Sequence, residues 1–162
     1  MLIRAALTSD VEAIAVVHAA AIREVCAQVY EPSQIHAWIS GKTLERYRRA
    51  VAEHPVFVAV HDGSVVGFSE FEPKTEEVFA VYVHPAFLRQ RVGSALLGAL
   101  EKSAAEHGLS RLHLHATINA IPFYRAHGFE LDAMTSFPLG AEASLACARM
   151  HKTLPGFSRQ LP

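Results

Sequence analysis

The chain has 162 residues, 51% of them apolar and 19% charged, which fits one folded domain and excludes a disordered chain. Its 15 basic and 16 acidic residues give a formal charge of −1, so no broad positive field exists for nucleic acid or an anionic membrane, and any anion site has to be local. No apolar run reaches the ~20 residues of a membrane span, no basic-then-apolar order marks a secretory signal, and Cys26 and Cys147 sit in core-like segments, so the expectation is a cytoplasmic protein with reduced thiols.

Residues 2–6 form a short apolar strand candidate. Ser9 and Glu12 stand three apart, the spacing of a capping box, and Ile14, Val17, His18, Ala21, Ile22 and Val25 follow on one helical face. Pro32 and Ser33 open a second helix that Gly41 ends, and a third runs over 43–54. The period then changes from 3.6 to 2. Residues 55–60 and 65–71 are strands joined by His61-Asp62-Gly63-Ser64, whose Asp-Gly pair signals a hairpin. Residues 77–83 are the next strand, with Glu77, Phe79, Val81 and Val83 expected on one face. A helix over 93–107 carries the stripe Leu96, Leu97, Leu100 and Ala104 and stops at Gly108; strand 111–116 and a short helix over 119–127 follow. Two more strands are expected near 129–134 and 143–151, then a loose tail over 156–162 beyond a single domain of 1–155. Antiparallel strands with one β-α-β crossover make the fold class α/β (α+β) around one mixed sheet.

The informative stretch is 77–129. Strand end Val81-Tyr82-Val83 runs through His84 and Pro85 into Leu88-Arg89-Gln90-Arg91-Val92-Gly93-Ser94-Ala95 and so into a helix. A helix N-terminus presents unpaired N–H groups and partial positive charge, the makings of an anion cradle. Gly93 is expected to let the main chain approach the anion, and Arg89 and Arg91 to add mobile charge. Neither the dinucleotide fingerprint nor the P-loop pattern is present.

Together with Asn119, Phe123-Tyr124 and Gly128-Phe129, this stretch resembles the GNAT acyltransferase superfamily, bacterial type. That family's pyrophosphate loop reads [Q/R]-x-x-G-x-[G/A]; here Gly93 closes it, but Leu88 and Arg91 replace the first and fourth places. The resemblance implies a mostly antiparallel central sheet of about six to seven strands. It also implies splayed strands that hold an acyl-CoA, in the leading reading acetyl-CoA, as acyl donor. The main chain of the strand end Val81, Tyr82 and Val83 would bind the pantetheine arm as an added strand would, with the Tyr82 side chain packing on the other face. Arg89, Gln90, Arg91, Val92, Gly93, Ser94 and Ala95 would hold the pyrophosphate, Asn119 the pantetheine, and Tyr124 would protonate the departing thiolate.

The implied reaction is attack by an amine on an activated thioester. Positioning does most of the work, and the N–H of Val81 would polarise the carbonyl. An amine protonated at neutral pH also needs a proton acceptor. Glu77 is the first candidate, on the same side as Val81 and Val83 by strand alternation; Glu70 and His84 are rivals. Tyr30 and Trp38 in the helical roof, with Glu70, are the candidates for the acceptor wall. His113 and His115 have a spacing that can bind metal, but no carboxylate or cysteine completes a set, so no metal is expected. The leading reading is acetylation of a small-molecule amine, with no nucleic-acid or membrane partner and a homodimer left open. A peptide acetyltransferase on the same scaffold stays open, as does a non-catalytic acyl-CoA sensor, the latter because Arg91 stands in a glycine place.

Overall fold

One seven-stranded sheet organises the computed structural model, which describes residues 1–155; the tail expected over 156–162 lies outside the described residues. The strands are β1 (Leu2–Ala5), β2 (Val56–His61), β3 (Ser64–Glu72), β4 (Glu77–Val83), β5 (Arg111–Thr117), β6 (Glu130–Pro138) and β7 (Ser144–Thr153). They lie in the order β1-β2-β3-β4-β5-β7-β6, antiparallel throughout except for the β4–β5 pair. Between β1 and β2 come α1 (Val11–Glu24), α2 (Pro32–Ser40) and α3 (Leu44–Glu53); α4 (Val92–Glu106) makes the crossover from β4 to β5, and α5 (Ile121–Ala126) follows β5.

Local chemistry explains most of these boundaries. Asp62 and Gly63 both have positive φ (47° and 78°), the backbone of a tight hairpin turn that matches strand twist. Thr43 Oγ1 accepts the Arg46 N–H at 3.3 Å and starts α3. The Ser9–Glu12 box does not form: α1 has no side-chain cap. Asp10 organises that corner instead, its carboxylate accepting the Leu7 N–H (2.7 Å) and two bonds from the Arg4 guanidinium (2.7 and 3.0 Å). Strand β6 runs four residues beyond its expected end at 134, to Pro138, because β7 supplies partners as far as Phe137↔Leu145 and Pro138↔Ser144.

Two apolar layers clamp the sheet. On one face α4 lays Leu97, Leu100 and Ala104 against Phe71, Val78, Leu112 and Leu114. On the other, Val11, Ile14 and Val17 of α1 and Tyr47 of α3 cover Val58, Phe68 and Ala80. Each fully buried Leu or Phe contributes ~1.5–3 kcal/mol, and Phe68, Phe71, Leu96, Leu97 and Leu100 are almost wholly enclosed. Gly67 on β3 lets α4 sit this close: a Cβ there would lie 2.9 Å from Leu96 Cδ1 and 3.0 Å from the Tyr82 carbonyl.

Helix α2 is stapled to the far side of the sheet. The Tyr30 hydroxyl donates to the Ala146 carbonyl (2.6 Å) and accepts the Ile118 N–H (3.0 Å). Gln34 accepts the Glu31 N–H (2.9 Å) and donates to the Ser144 carbonyl (2.8 Å). The helical roof is thereby tied to β7 and to the turn after β5, across the edge of the site.

Candidate active site

The parallel pair β4–β5 is joined at two rows only, Glu77↔His113 and Val78↔Leu114, after which the strands part. The bond from His84 N–H to the Val66 carbonyl (2.8 Å) sets the alternation along β3–β4. Antiparallel pairs exchange bonds at every second residue, which assigns the main chain of Tyr82 to Phe68 and turns that of Val81 and Val83 towards the gap. Among the described residues no strand pairs with Val81 and Val83 on that side, so their amides and carbonyls are open to an extended ligand.

A cavity of about 750 Å³ occupies the gap. Arg91, Gly93, Ser94 and Phe123 line it on the α4 side, and Val25, Gln28, Phe79 and His115 line it on the α1 side, so it passes through the sheet. Of the residues singled out in the sequence, Val81, Tyr82, Val83, Arg89, Arg91, Val92, Gly93, Ser94, Asn119 and Tyr124 line it.

The loop before α4 has a particular backbone. Arg89 and Arg91 both have φ of 62°, the left-handed conformation usually left to glycine. Arg91 thus keeps a glycine's backbone shape while carrying a cation. Helix α4 has no side-chain cap, so its leading N–H groups face the cavity mouth with the helix dipole behind them. Ala95 is not one of them: its N–H is bonded to the Arg91 carbonyl at 3.0 Å. Gln90 turns its side chain back to the Ala86 carbonyl (3.3 Å), and neither residue lines the cavity. Gly93 also has a different use from the expected one. A Cβ there would lie 3.2 Å from the Phe123 ring, so its small size admits α5 against α4. Ser94 Oγ lies 2.9 Å from His127 Nε2, and His127 Nδ1 lies 2.8 Å from the Phe123 carbonyl. A carbonyl accepts only, so the proton sits on Nδ1 and the Ser94 hydroxyl donates to Nε2.

Two polar groups in the cavity wall lack protein partners among the described residues. Asn119 Oδ1 is buried with no hydrogen bond, a costly state unless a ligand or water fills it. Tyr124 is buried in the wall, and its hydroxyl has no protein partner yet is not sealed off. Burial pushes its pKa well above the usual phenol value, so it stays a proton donor.

The remaining candidates lie elsewhere. Phe79 is an extra residue in β4: Glu70 pairs with Ala80 and Phe71 with Val78. This bulge reverses the alternation. Val81 and Val83 share the α4 face, but Glu77 points to the opposite face, which corrects the alternation expected from the sequence. There Glu77 Oε1 meets His115 Nδ1 at 3.4 Å. Glu70 is 2% exposed, paired with Arg46 (2.8 Å) and His54 (2.8 Å), and lines a separate cavity of about 270 Å³ instead. Tyr30 and Trp38 are buried with Ile22, Cys26 and Leu145. Their ring centroids stand 6.2 Å apart, edge to face, and neither lines the main cavity. His84 accepts the Ala86 N–H (3.2 Å) and shapes the turn after β4. His113 donates to the Thr75 carbonyl (2.8 Å). Sequence reasoning passed over His115 as a cavity residue; its place in a period-2 strand after the crossover was the available signal.

A mixed sheet opened between two parallel strands, with a helix N-terminus at one mouth of the gap, is the framework of an acyltransferase. A family model described as acetyltransferase (GNAT) family matches residues 21–129. An uncharacterized N-acetyltransferase of Escherichia coli K12, YafP, is 33% identical over 122 residues, 75% of each chain. A GCN5-related N-acetyltransferase from Rhodopseudomonas palustris superposes with a TM-score of 0.88 at 27% identity, over 94% of this chain and 95% of that one. The PaiA N-acetyltransferase of Thermoplasma acidophilum, solved with coenzyme A, shares the fold with a TM-score of 0.81 at 21% identity, over 94% and 98%. The chain belongs to the acetyltransferase (GNAT) family and is an acyltransferase. No helix among the described residues is long and apolar enough to cross a membrane.

Proposed function

We propose that this enzyme, acting in the cytoplasm, transfers the acetyl group of acetyl-CoA to the primary amine of a small molecule. The observation that carries the reading is the cavity through the sheet, with the main chain of Val81 and Val83 free along one wall. A pantetheine arm carries two amides and a chain narrow enough for such a gap. Its amide N–H fits the orphaned Asn119 Oδ1. Its pyrophosphate fits the open N–H groups of Val92, Gly93 and Ser94, with Arg89 and Arg91 beside them. The Ser94 hydroxyl would turn from His127 to donate there.

Bound in this way, acetyl-CoA supplies an activated acyl group. The chain's own residues hold and polarise it: the Val81 N–H faces the thioester carbonyl's side of the gap, and Tyr124 holds a proton for the leaving sulfur. The fixing of the helical roof by Tyr30 and Gln34 to β7 and to the turn after β5 supports a small acceptor, because it leaves less freedom for that roof to move aside for a long peptide. Tyr30 and Trp38 then serve the acceptor wall from behind, as its packing.

Calorimetry with acetyl-CoA tests the reading, with pantetheine as the control that lacks the pyrophosphate. Roughly micromolar binding, about −8 kcal/mol, is expected, and pantetheine should lose most of it. No binding at millimolar acetyl-CoA would overturn the assignment. With binding in hand, a panel of small amines and of short peptides decides the acceptor class; turnover of peptides alone would refute the small-molecule part.

A further inference from the structure

Six titratable side chains line the cavity: Cys26, Tyr82, Arg89, Arg91, His115 and Tyr124. Burial raises the Cys26 thiol to about 12 and pushes Tyr82 and Tyr124 upward, so these three keep their protons at neutral pH. Arg89 and Arg91 are permanent cations with no lone pair to offer. Among the described residues that line the cavity, the imidazole of His115 is the side chain with a basic lone pair to offer. Glu77, the expected proton acceptor, does not line the cavity. It stands behind His115, with Oε1 at 3.4 Å from Nδ1.

The two faces of the sheet divide the task. Tyr124 belongs to the α4-side core with Leu97 and Leu114. Leu112, Leu114 and Ala116 of β5 point to that same side, so His113 and His115 point to the other. The bulge at Phe79 turns Glu77 to their side. A thioester in the gap would have a proton donor for its sulfur on one face and a proton acceptor for the incoming amine on the opposite face. Acyl transfer to an amine needs the amine held within attack distance of the carbonyl carbon, and this division puts the acid beside the sulfur and the base beside the amine without the two competing for one position.

The geometry points to His115 as the catalytic base of this enzyme, with Glu77 as the residue that positions it. The inference rests on the acetyl-transfer reading above and names the group in that site that receives the amine's proton. The Glu77 carboxylate, 3.4 Å from Nδ1, would favour the tautomer with the proton on that nitrogen and so leave the Nε2 lone pair on the open side of the ring, where no protein partner is found among the described residues. The N–H bond of the ammonium breaks, its electron pair stays on nitrogen, and the proton passes to Nε2. The freed pair forms the C–N bond as the C–S bond breaks, and the sulfur takes its electron pair and a proton from Tyr124. The second proton shed by the amide nitrogen restores Tyr124 through water, and His115 releases its own proton to solvent, so one proton is released per turnover.

The groups around His115 are few. Glu77 faces it from β4, and its neighbour His113 on β5 is held by the Thr75 carbonyl. Arg149 of β7 lies directly opposite in the strand register, and on β6 the uncharged Phe137 ring stands 5.8 Å away. The nearby His151 is occupied by Asp132 at 2.6 Å. Glu77 is thus the carboxylate within reach of the ring.

His115→Gln, Glu77→Gln and the parent enzyme would be compared in three measurements. Acetyl-CoA calorimetry should give the same affinity for all three; lost binding in the parent would fail the acetyl-transfer reading itself, while binding lost only in His115→Gln would recast His115 as a ligand and sink the base proposal. Ring nitrogen-15 spectra of the unliganded protein should show the proton of His115 on Nδ1 in the parent and shifted towards Nε2 in Glu77→Gln. A proton already on Nε2 in the parent would overturn the proposal, since the open nitrogen would then have no lone pair. With the amine that the panel identifies, kcat should fall roughly 100-fold in His115→Gln, the acidic limb of its pH profile should disappear, and Glu77→Gln should fall between the two. An unchanged pH profile in His115→Gln, with acetyl-CoA still bound, would reject His115 and leave the acetyl-transfer reading standing.

Discussion

The two mouths of the cavity are built from different materials. On the α4 side the groups offered to a ligand are largely main chain: the free edge of Val81 and Val83 and the first N–H groups of α4. On the α1 side they are side chains, Val25, Gln28, Phe79 and His115. A main-chain cradle tolerates changes of residue type so long as the backbone keeps its shape, as Arg91 does at φ 62°. A side-chain site can be rebuilt by single substitutions. On the proposed function, the α4 mouth would be the common part of such an enzyme, and the α1 mouth the place where its acceptor is chosen.

The largest effect is expected at the α4 mouth. Gly93→Glu would place a carboxylate among the open N–H groups and a Cβ 3.2 Å from the Phe123 ring. Acetyl-CoA affinity should drop at least ~100-fold, about 2.7 kcal/mol. Gly93→Ala separates the causes: it should lower the melting temperature through crowding while costing far less affinity. Affinity unchanged in Gly93→Glu would remove the helix terminus from the binding site and undo the contrast between the two mouths.

Tyr124→Phe tests the middle of the cavity. The ring packs against Phe129 with centroids 5.4 Å apart, and that contact survives the substitution, so the fold should hold. Turnover should fall ~100-fold, the size of a lost general acid, with acetyl-CoA affinity nearly unchanged. Equal losses in both would make Tyr124 a binding group rather than a proton donor.

This difference in materials also governs what could be read from the sequence. Order and type of the elements were legible because period, caps and turn residues are local: Asp62-Gly63 specifies its hairpin, and the stripe Leu96, Leu97 and Leu100 its helix. The strand-loop-helix order around Gly93 was legible too. The face of Glu77 was not. It depends on one extra residue, Phe79, and nothing in the alternation of 77–83 announces a bulge; the pairing of β3 with β4 creates it. Glu70 failed to reach the cavity for a similar reason, since Arg46 and His54 come from distant segments to claim it. Tyr30 and Trp38 looked like wall residues and instead fill the packing behind the wall.

The α1 side carries a pH-sensitive element, His18. His18 is buried among Tyr47, Phe68 and Tyr82. Its Nδ1 lies 2.8 Å from the Tyr47 hydroxyl and its Nε2 has no partner among the described residues. Burial first, then the charges of Lys42 and Arg46, hold its pKa well below the ordinary 6.5. The sign follows: as pH falls past 6.5 the unfolded chain binds a proton that the folded chain refuses. Stability is therefore complete above that value and declines below it, by about 1.4 kcal/mol per pH unit for one proton. Urea unfolding at a series of pH values should show this slope in the parent and a shallower one in His18→Gln. Equal slopes would mean that His18 protonates in place without cost to the fold.

The smallest effect concerns Arg91, and it divides backbone from charge within the α4 mouth. An L-residue with a Cβ at φ 62° carries ~1 kcal/mol of strain. Arg91→Gly relieves that strain but frees the unfolded chain, so the net gain in stability should stay below ~1 kcal/mol. Its effect on ligand binding should have the opposite sign: the cradle's shape persists while one cation is lost, so acetyl-CoA binds a few-fold more weakly and more so at low salt. Arg91→Ala keeps the strain and loses the charge, and should match the glycine variant in affinity but not in melting temperature. If both variants bind as well as the parent, Arg91 serves the backbone alone, and the α4 mouth recognises its ligand through main chain and the remaining Arg89.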